Sequence, residues 1–249
     1  MSIFFHDPLV MAARTGQADD VARLITPFYS LNSYALEKSA EKGHAECVQL
    51  LIPFSEPDQD DSQALLLAAQ NGHTECVRLL IPVSDMEHCA ALRSAAMNGH
   101  NDCVALLKDV SNLDANKEAL VWAVNNHHIE CVKMLITVMD VQQWDNMALI
   151  SAVRNRDVEM VNVLLPHANA TDGMALQIAL ENADCECIDV LYAVTDITAL
   201  LNRLENHPRM HIFQKLLGEA EYKWTAQRQH ALLTNETQGG GKSGVSRKM

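Results

Sequence analysis

The sequence predicts an all-α fold, a solenoid of about eight stacked helix-turn-helix units. Three observations predict it. The phrase Gly43-His44-Ala45-Glu46-Cys47-Val48-Gln49-Leu50-Leu51-Ile52-Pro53 returns as Gly72-His73-Thr74-Glu75-Cys76-Val77-Arg78-Leu79-Leu80-Ile81-Pro82, and more loosely at Gly99, His127 and Arg156. A second element, Ala-Leu-x-x-Ala-Ala, precedes these corners, with Ala-Leu pairs starting at Ala35, Ala64, Ala91, Ala119, Ala148, Ala175 and Ala199. The pairs are spaced 29, 27, 28, 29 and 27 residues apart, then 24. Repetition on this scale marks units that cannot bury their apolar faces alone and share a core by stacking.

The first copy begins at Asp7-Pro8-Leu9. Asp is a good N-cap and proline is tolerated at the first helical position. Asp20 stands where later copies have cysteine, which suits a more exposed end. In the following copies, helix A carries apolar residues at i, i+1, i+4 and i+5, one face at a period of 3.6. It should last about two turns, and stacking must stabilise it, because short isolated helices are marginal in water. Helix B, as in Cys76, Val77, Leu79, Leu80 and Ile81, has a broad apolar stripe suited to burial between two neighbours. Pro27, Pro53, Pro82 and Pro166 then end it, since proline breaks the hydrogen-bond ladder. In the eighth copy Arg203 replaces the first alanine of the pair. Three segments are expected: a solenoid over 1–218, a capping helix over 219–234, and a disordered Gly-rich basic tail over 235–249. Tyr222, Trp224, Ala226, Leu232 and Leu233 are the residues available to cover the open end.

The order Ala-Leu-x-x-Ala-Ala, Asn-Gly-His, Glu-Cys-Val-x-Leu-Leu, repeated from about residue 6 to 218, resembles the ankyrin repeat. The resemblance implies helix-turn-helix units stacked into a curved array, with a partner lying along its concave face, on helix A and the connector tips. The family's period is about 33 residues, and the residues missing here fall where its β-hairpin stands. Tight turns and a mostly helical array are therefore expected.

Composition excludes several functions. The formal charge is −13, which opposes nucleic-acid binding, whose main term is neutralisation of phosphate by Lys and Arg. No apolar stretch reaches the roughly 18 residues of a membrane span, and His6-Asp7-Pro8 interrupts any secretory signal. The seven cysteines fit a reducing, cytoplasmic setting, with signal-less export to another cell as the alternative.

Several residues resemble chemistry. Cys47, Cys76, Cys103, Cys131 and Cys187 share a slot with Met160 and His211, which marks a packing position more than a metal or redox site. His44, His73, His100 and His128 share a slot with Asp157, Asp184 and Pro208, and are read as polar caps of helix B. The acids Glu46, Glu75, Asp102, Glu130, Glu159 and Glu186 lie in its first turn, where negative charge suits the helix dipole. His207 and His211 have zinc-helix spacing without the catalytic glutamate, and Gly240-Gly241-Lys242-Ser243 lacks the first glycine of a phosphate loop. No catalytic residue, metal or cofactor is expected.

The variable positions of helix A are where a partner protein should sit: Leu67, Gln70, Arg93, Met97, Trp122, Asn125 and Arg154, with Trp144 in a connector. Trp, Arg and Met are enriched at interfaces. The expected function is a non-enzymatic protein-interaction module, monomeric without its partner. A self-assembling scaffold is the alternative, and a cryptic metal-dependent hydrolase the remotest.

Overall fold

The structure, a computed structural model, describes residues 7–27, 30–55, 59–84, 90–139 and 146–239, with the side chains of 59–61 and 230–239 outside the description. Trp144 and residues 240–249 of the expected tail lie outside the described residues. The chain divides into two compact units, Met1–Gln143 and Trp144–Met249.

The first unit holds five helix pairs: α1 (Pro8–Thr15) with α2 (Ala18–Leu24), α3 (Asn32–Lys42) with α4 (Ala45–Leu51), α5 (Gln59–Gln70) with α6 (Thr74–Leu80), α7 (Ala90–Met97) with α8 (Asn101–Leu107), and α9 (Leu113–Asn125) with α10 (Ile129–Ile136). The A helices α1, α3, α5, α7 and α9 pack in sequence as one row, and the B helices α2 to α10 as another. The second unit holds α11 (Met147–Arg154) with α12 (Val158–Leu164), α13 (Met174–Glu181) with α14 (Cys185–Tyr192), then α15 (Ile197–Arg203) and α16 (Met210–Gly239).

The repeated apolar slots form the core of each unit. Ala64, Leu65, Ala68 and Ala69 are at most 3% exposed, as are Cys76, Val77 and Leu80 on helix B. Each buried leucine contributes about 1.5–3 kcal/mol, and the alanines let neighbouring helices approach closely. The acids at the start of helix B lie in its first turn as the sequence predicts.

The described residues contain no β-strand. Where a hairpin was expected to be lost, helix B runs into a 3-10 turn holding the proline, at Ile52–Phe54, Ile81–Val83 and Leu165–His167. Buried asparagines hold the connectors. Asn32 Nδ2 donates to the carbonyls of Thr26 (3.0 Å) and Phe54 (2.9 Å), joining two successive connectors. Asn116 donates to Lys108 O at 3.1 Å, and Asn146 to Asn169 O. With no hairpin in between, several A helices extend back into the connector. α3, α5 and α9 reach 11, 12 and 13 residues, longer than the two turns expected.

The corner histidines are not caps. His44, His73, His100 and His128 make no side-chain bond to the start of their own helix. Each Nε2–H instead donates to a carbonyl at the end of the preceding A helix: Arg14 O, Glu41 O, Gln70 O and Met97 O, at 3.0–3.1 Å. Each ring also lies over the preceding corner glycine. A Cβ on Gly43 would stand 2.5 Å from His73 Nδ1, and one on Gly72 2.6 Å from His100 Nδ1. Both glycines have positive φ, +78° and +73°, so backbone and neighbour exclude a side chain together. Corners followed by a unit without this histidine carry side chains instead: His127, Arg156 and Ala183, at φ 60°, 56° and 51°. The capping role belongs to the acids of the slot, since Asp157 accepts from Met160 N and Asp184 from Cys187 N.

In the second unit Arg209 takes over the histidine's task, donating back to Glu181 O at 2.8 Å, while Arg156 donates forward to Asn182 O of the next helix end at 3.0 Å. The last helix differs from expectation. α16 is one helix from Met210 to Gly239, running through Gly218, where a separate capping helix was expected from residue 219. It packs on α14 and α13 through Phe213, Leu217 and Ala220, all at most 5% exposed. Tyr222, expected as cover, is 77% exposed. Ala226 is exposed as well, Trp224 is half-buried, and the side chains of Leu232 and Leu233 lie outside the description.

Candidate functional site

The packing slots consume the inward positions of every A helix and leave one outward face. In the first unit this face runs over α5, α7 and α9, which are adjacent in the row. Leu67 is half-buried and Gln70 exposed on α5, Arg93 is exposed and Met97 half-buried on α7, and Trp122 and Asn125 are exposed on α9. Trp122 retains 43% of its surface, so one side packs and the other is open. Its carbonyl accepts from Asn126 Nδ2 at 2.9 Å, and Asn71 and Asn98 close the ends of α5 and α7 in the same way.

Arg93 is ion-paired rather than merely solvated. Its Nη1 lies 2.9 Å from Glu118 Oε2, joining α7 to α9. Arg93 and Met97 are i,i+4 on one helix, as are Glu118 and Trp122 on the next, so each pair shares a helix face. Glu118 escaped the sequence reading because it occupies the position before the Ala-Leu pair. The structure thus gathers Leu67, Gln70, Arg93, Met97, Trp122 and Asn125 onto three neighbouring helices. Arg154 is exposed at the end of α11 in the second unit.

The α3 end of the same row is charged. Lys38 Nζ lies 2.7 Å from Glu41 Oε2, Lys42 Nζ 2.8 Å from Oε1, and Lys38 sits over the Tyr34 ring at 5.3 Å. The hydrogen bond from Lys38, then that from Lys42, holds the Glu41 carboxyl below the usual carboxylate range.

The second unit presents Met147 and Met174, each 51% exposed, at the position Glu118 occupies in the first. The sequence reading missed them for the same reason. Arg203 donates to Asp172 O at 2.9 Å and to Gln177 Oε1 at 3.3 Å.

The residues that resembled chemistry are otherwise engaged. Cys47, Cys76, Cys103, Cys131, Cys187 and Met160 are at most 1% exposed. Burial pushes the thiols of Cys76 and Cys131 up to about 11 and that of Cys187 up to about 12. They are therefore protonated near neutral pH, and a thiol is a poor nucleophile and ligand. Cys131 Sγ donates to Asn101 Oδ1 at 3.1 Å. His207 precedes α16, stacks on Phe213 at 4.7 Å and accepts from Arg209 N through Nδ1. His207 and His211 therefore do not share a helix.

Among the described residues no helix is long and apolar enough to cross a membrane. Among solved structures, the ankyrin repeat domain of human ASB11 is similar at 20% identity, covering 65% of this chain and 84% of that one, with a TM-score of 0.56. The ankyrin repeat domain of Bcl-3 matches at 22% identity over 76% of this chain and 86% of that one, with a TM-score of 0.42. At such identity the first likeness is one of fold. No curated protein matches the sequence. A family model of ankyrin repeats in three copies matches residues 9–91 and 82–143. Ankyrin repeats are generally protein–protein interaction modules. Matched by that model over more than half of its length, and built of the same stacked helix pairs, the chain belongs to the ankyrin-repeat family.

Proposed function

We propose that this chain is a non-catalytic module that binds a partner protein through the outward face of the A helices, with Leu67, Gln70, Arg93, Met97, Trp122 and Asn125 at its centre. Arg154, on α11 of the second unit, and Trp144, outside the described residues, are candidate contacts of their own, as are the connector tips. One observation carries the proposal: packing buries the repeated Ala-Leu and Cys-Val slots, while the variable positions leave an aromatic and an ion pair exposed and a thioether half-buried on adjacent helices. The array is preformed, so a partner docks with little ordering cost. A reducing, cytoplasmic setting suits the buried free thiols. The module works as a monomer that presents this face.

The test compares wild type with Trp122→Ala and Met97→Ala in capture from native lysate, followed by size-exclusion chromatography over a concentration range. Partner bands lost in both variants, with an unchanged monomer peak, support the reading. Bands unaffected by either variant refute the face, and concentration-dependent oligomers would favour a self-assembling scaffold.

A further inference from the structure

The corners that stacking demands also place a reactive pair of residues at the surface. Helix A is followed at the turn by asparagine in five units, at Asn71, Asn98, Asn126, Asn155 and Asn182. Asn71, Asn98 and Asn126 each donate from Nδ2 to the carbonyl four residues earlier, at 2.8–2.9 Å. Of the five, Asn71 and Asn98 alone precede glycine, the residue that the ring of His100 or His128 requires beneath it. Both asparagines are exposed, so water reaches them.

An asparagine before glycine can turn on its own main chain, because no side chain shields the next nitrogen. The Gly72 nitrogen attacks the side-chain carbonyl carbon of Asn71. A C–N bond forms, the bond to the side-chain nitrogen breaks, and ammonia leaves with the proton from the Gly72 amide. Water then opens the resulting succinimide at either carbonyl, giving aspartate or isoaspartate. Water is the one co-reactant.

The native corner opposes each step. Gly72 N–H donates to Ala69 O at 3.3 Å and Gly99 N–H to Ala96 O at 3.4 Å. The side-chain amides are held by Leu67 O and Ser94 O, both at 2.8 Å. His100 donates to Gln70 O at 3.0 Å and covers Gly72, and His128 donates to Met97 O at 3.1 Å and covers Gly99. Each ring therefore pins the peptide before the asparagine and covers the glycine after it.

We propose that Asn71 and Asn98 are sites of spontaneous deamidation to aspartate and isoaspartate, each gated by the histidine of the following unit. The product unmakes its corner. A carboxylate cannot donate to Leu67 O or Ser94 O, and its charge falls at the negative end of the helix dipole. Isoaspartate also lengthens the main chain by a methylene, which moves glycine from beneath the ring.

The full chain, held at mildly alkaline pH, tests this by peptide mapping and mass spectrometry of each asparagine; the chain in guanidinium chloride gives the ungated rate. Folded wild type should react about fivefold or more slowly than the unfolded chain. His100→Ala should speed Asn71 about fivefold, the factor one lost hydrogen bond adds to a local opening, and leave Asn98, in its own corner, unchanged. His128→Ala should speed Asn98 and leave Asn71 unchanged, with Asn126 slow throughout. Circular dichroism checks that each variant is folded; where alanine unfolds the array, glutamine, which keeps an N–H donor, replaces it under the same site-by-site expectation. Equal rates in folded and unfolded wild type, or a rise at both sites in either folded variant, overturn the gating. Intact Asn71 and Asn98 in the unfolded chain overturn the sites themselves.

Discussion

Gly72→Ala should be far more damaging than a half-buried turn suggests, and the damage should depend on a residue 28 positions away. At φ +73° an alanine costs about 1–2 kcal/mol in backbone strain alone. Its Cβ would stand 2.6 Å from His100 Nδ1 and 2.9 Å from Cε1, well inside ordinary contact at 3.4 Å. The ring must move, and moving it breaks the 3.0 Å bond from Nε2 to Gln70 O, worth about 1 kcal/mol. The expected loss is about 2–4 kcal/mol. In a His100→Ala background the obstacle is gone and only the backbone strain remains. A double-mutant cycle by urea denaturation should then give a coupling of about 1–2 kcal/mol. If Gly72→Ala costs the same in both backgrounds, the ring does not dictate the glycine, and the account of the corners is wrong.

Replacing Trp122 and Arg93 by alanine should weaken partner capture; Arg93→Ala alone should shift unfolding by only about 0.5 kcal/mol, because exposed ion pairs contribute little, and Trp122→Ala by more, through the loss of its packed side. Lost stability with intact capture would assign both to packing. Cys76→Ala should destabilise by about 1–2 kcal/mol and Cys76→Val by less, read from thermal melts. The Cys76 and Cys131 thiols are pushed up to about 11 in the folded chain, so the unfolded chain loses these protons first. Stability from this source is complete below pH 9 and declines as pH rises toward 11; the double Val variant should flatten that decline in urea midpoints. Phe213→Ala removes a ring that is 0% exposed and should cost about 3–5 kcal/mol, seen as faster hydrogen exchange in α14 and α16.

The architecture was legible because period, small alanines and prolines each act locally. A repeat of about 28 residues leaves no room for a hairpin, and the described connectors have none. The histidine slot was misread because sequence shows what stands beside a residue in its own helix, whereas His100 spends its ring on the carbonyl of Gln70 in the previous unit. The stop expected at Gly218 failed for a related reason. A glycine in mid-helix costs only about 1 kcal/mol, and the docking of Phe213, Leu217 and Ala220 outweighs it. Of the candidate face, Trp122, Met97 and Arg93 were visible as the residues packing does not fix. Glu118 was not, since a partner 25 residues from Arg93 leaves no local trace.

The matched corners also govern how such an array can lengthen. A copy of the unit carrying Gly72 and His73 would present glycine to the next histidine and histidine to the previous glycine, so it can be duplicated in place at both junctions. The unit with His127 and His128 accepts a glycine before it but offers a side chain after it, where a second copy would bring its own imidazole. Growth by duplication is therefore open to the early units and closed at the fifth. Any protein engineer inserting repeats into this chain inherits the same rule of adjacency.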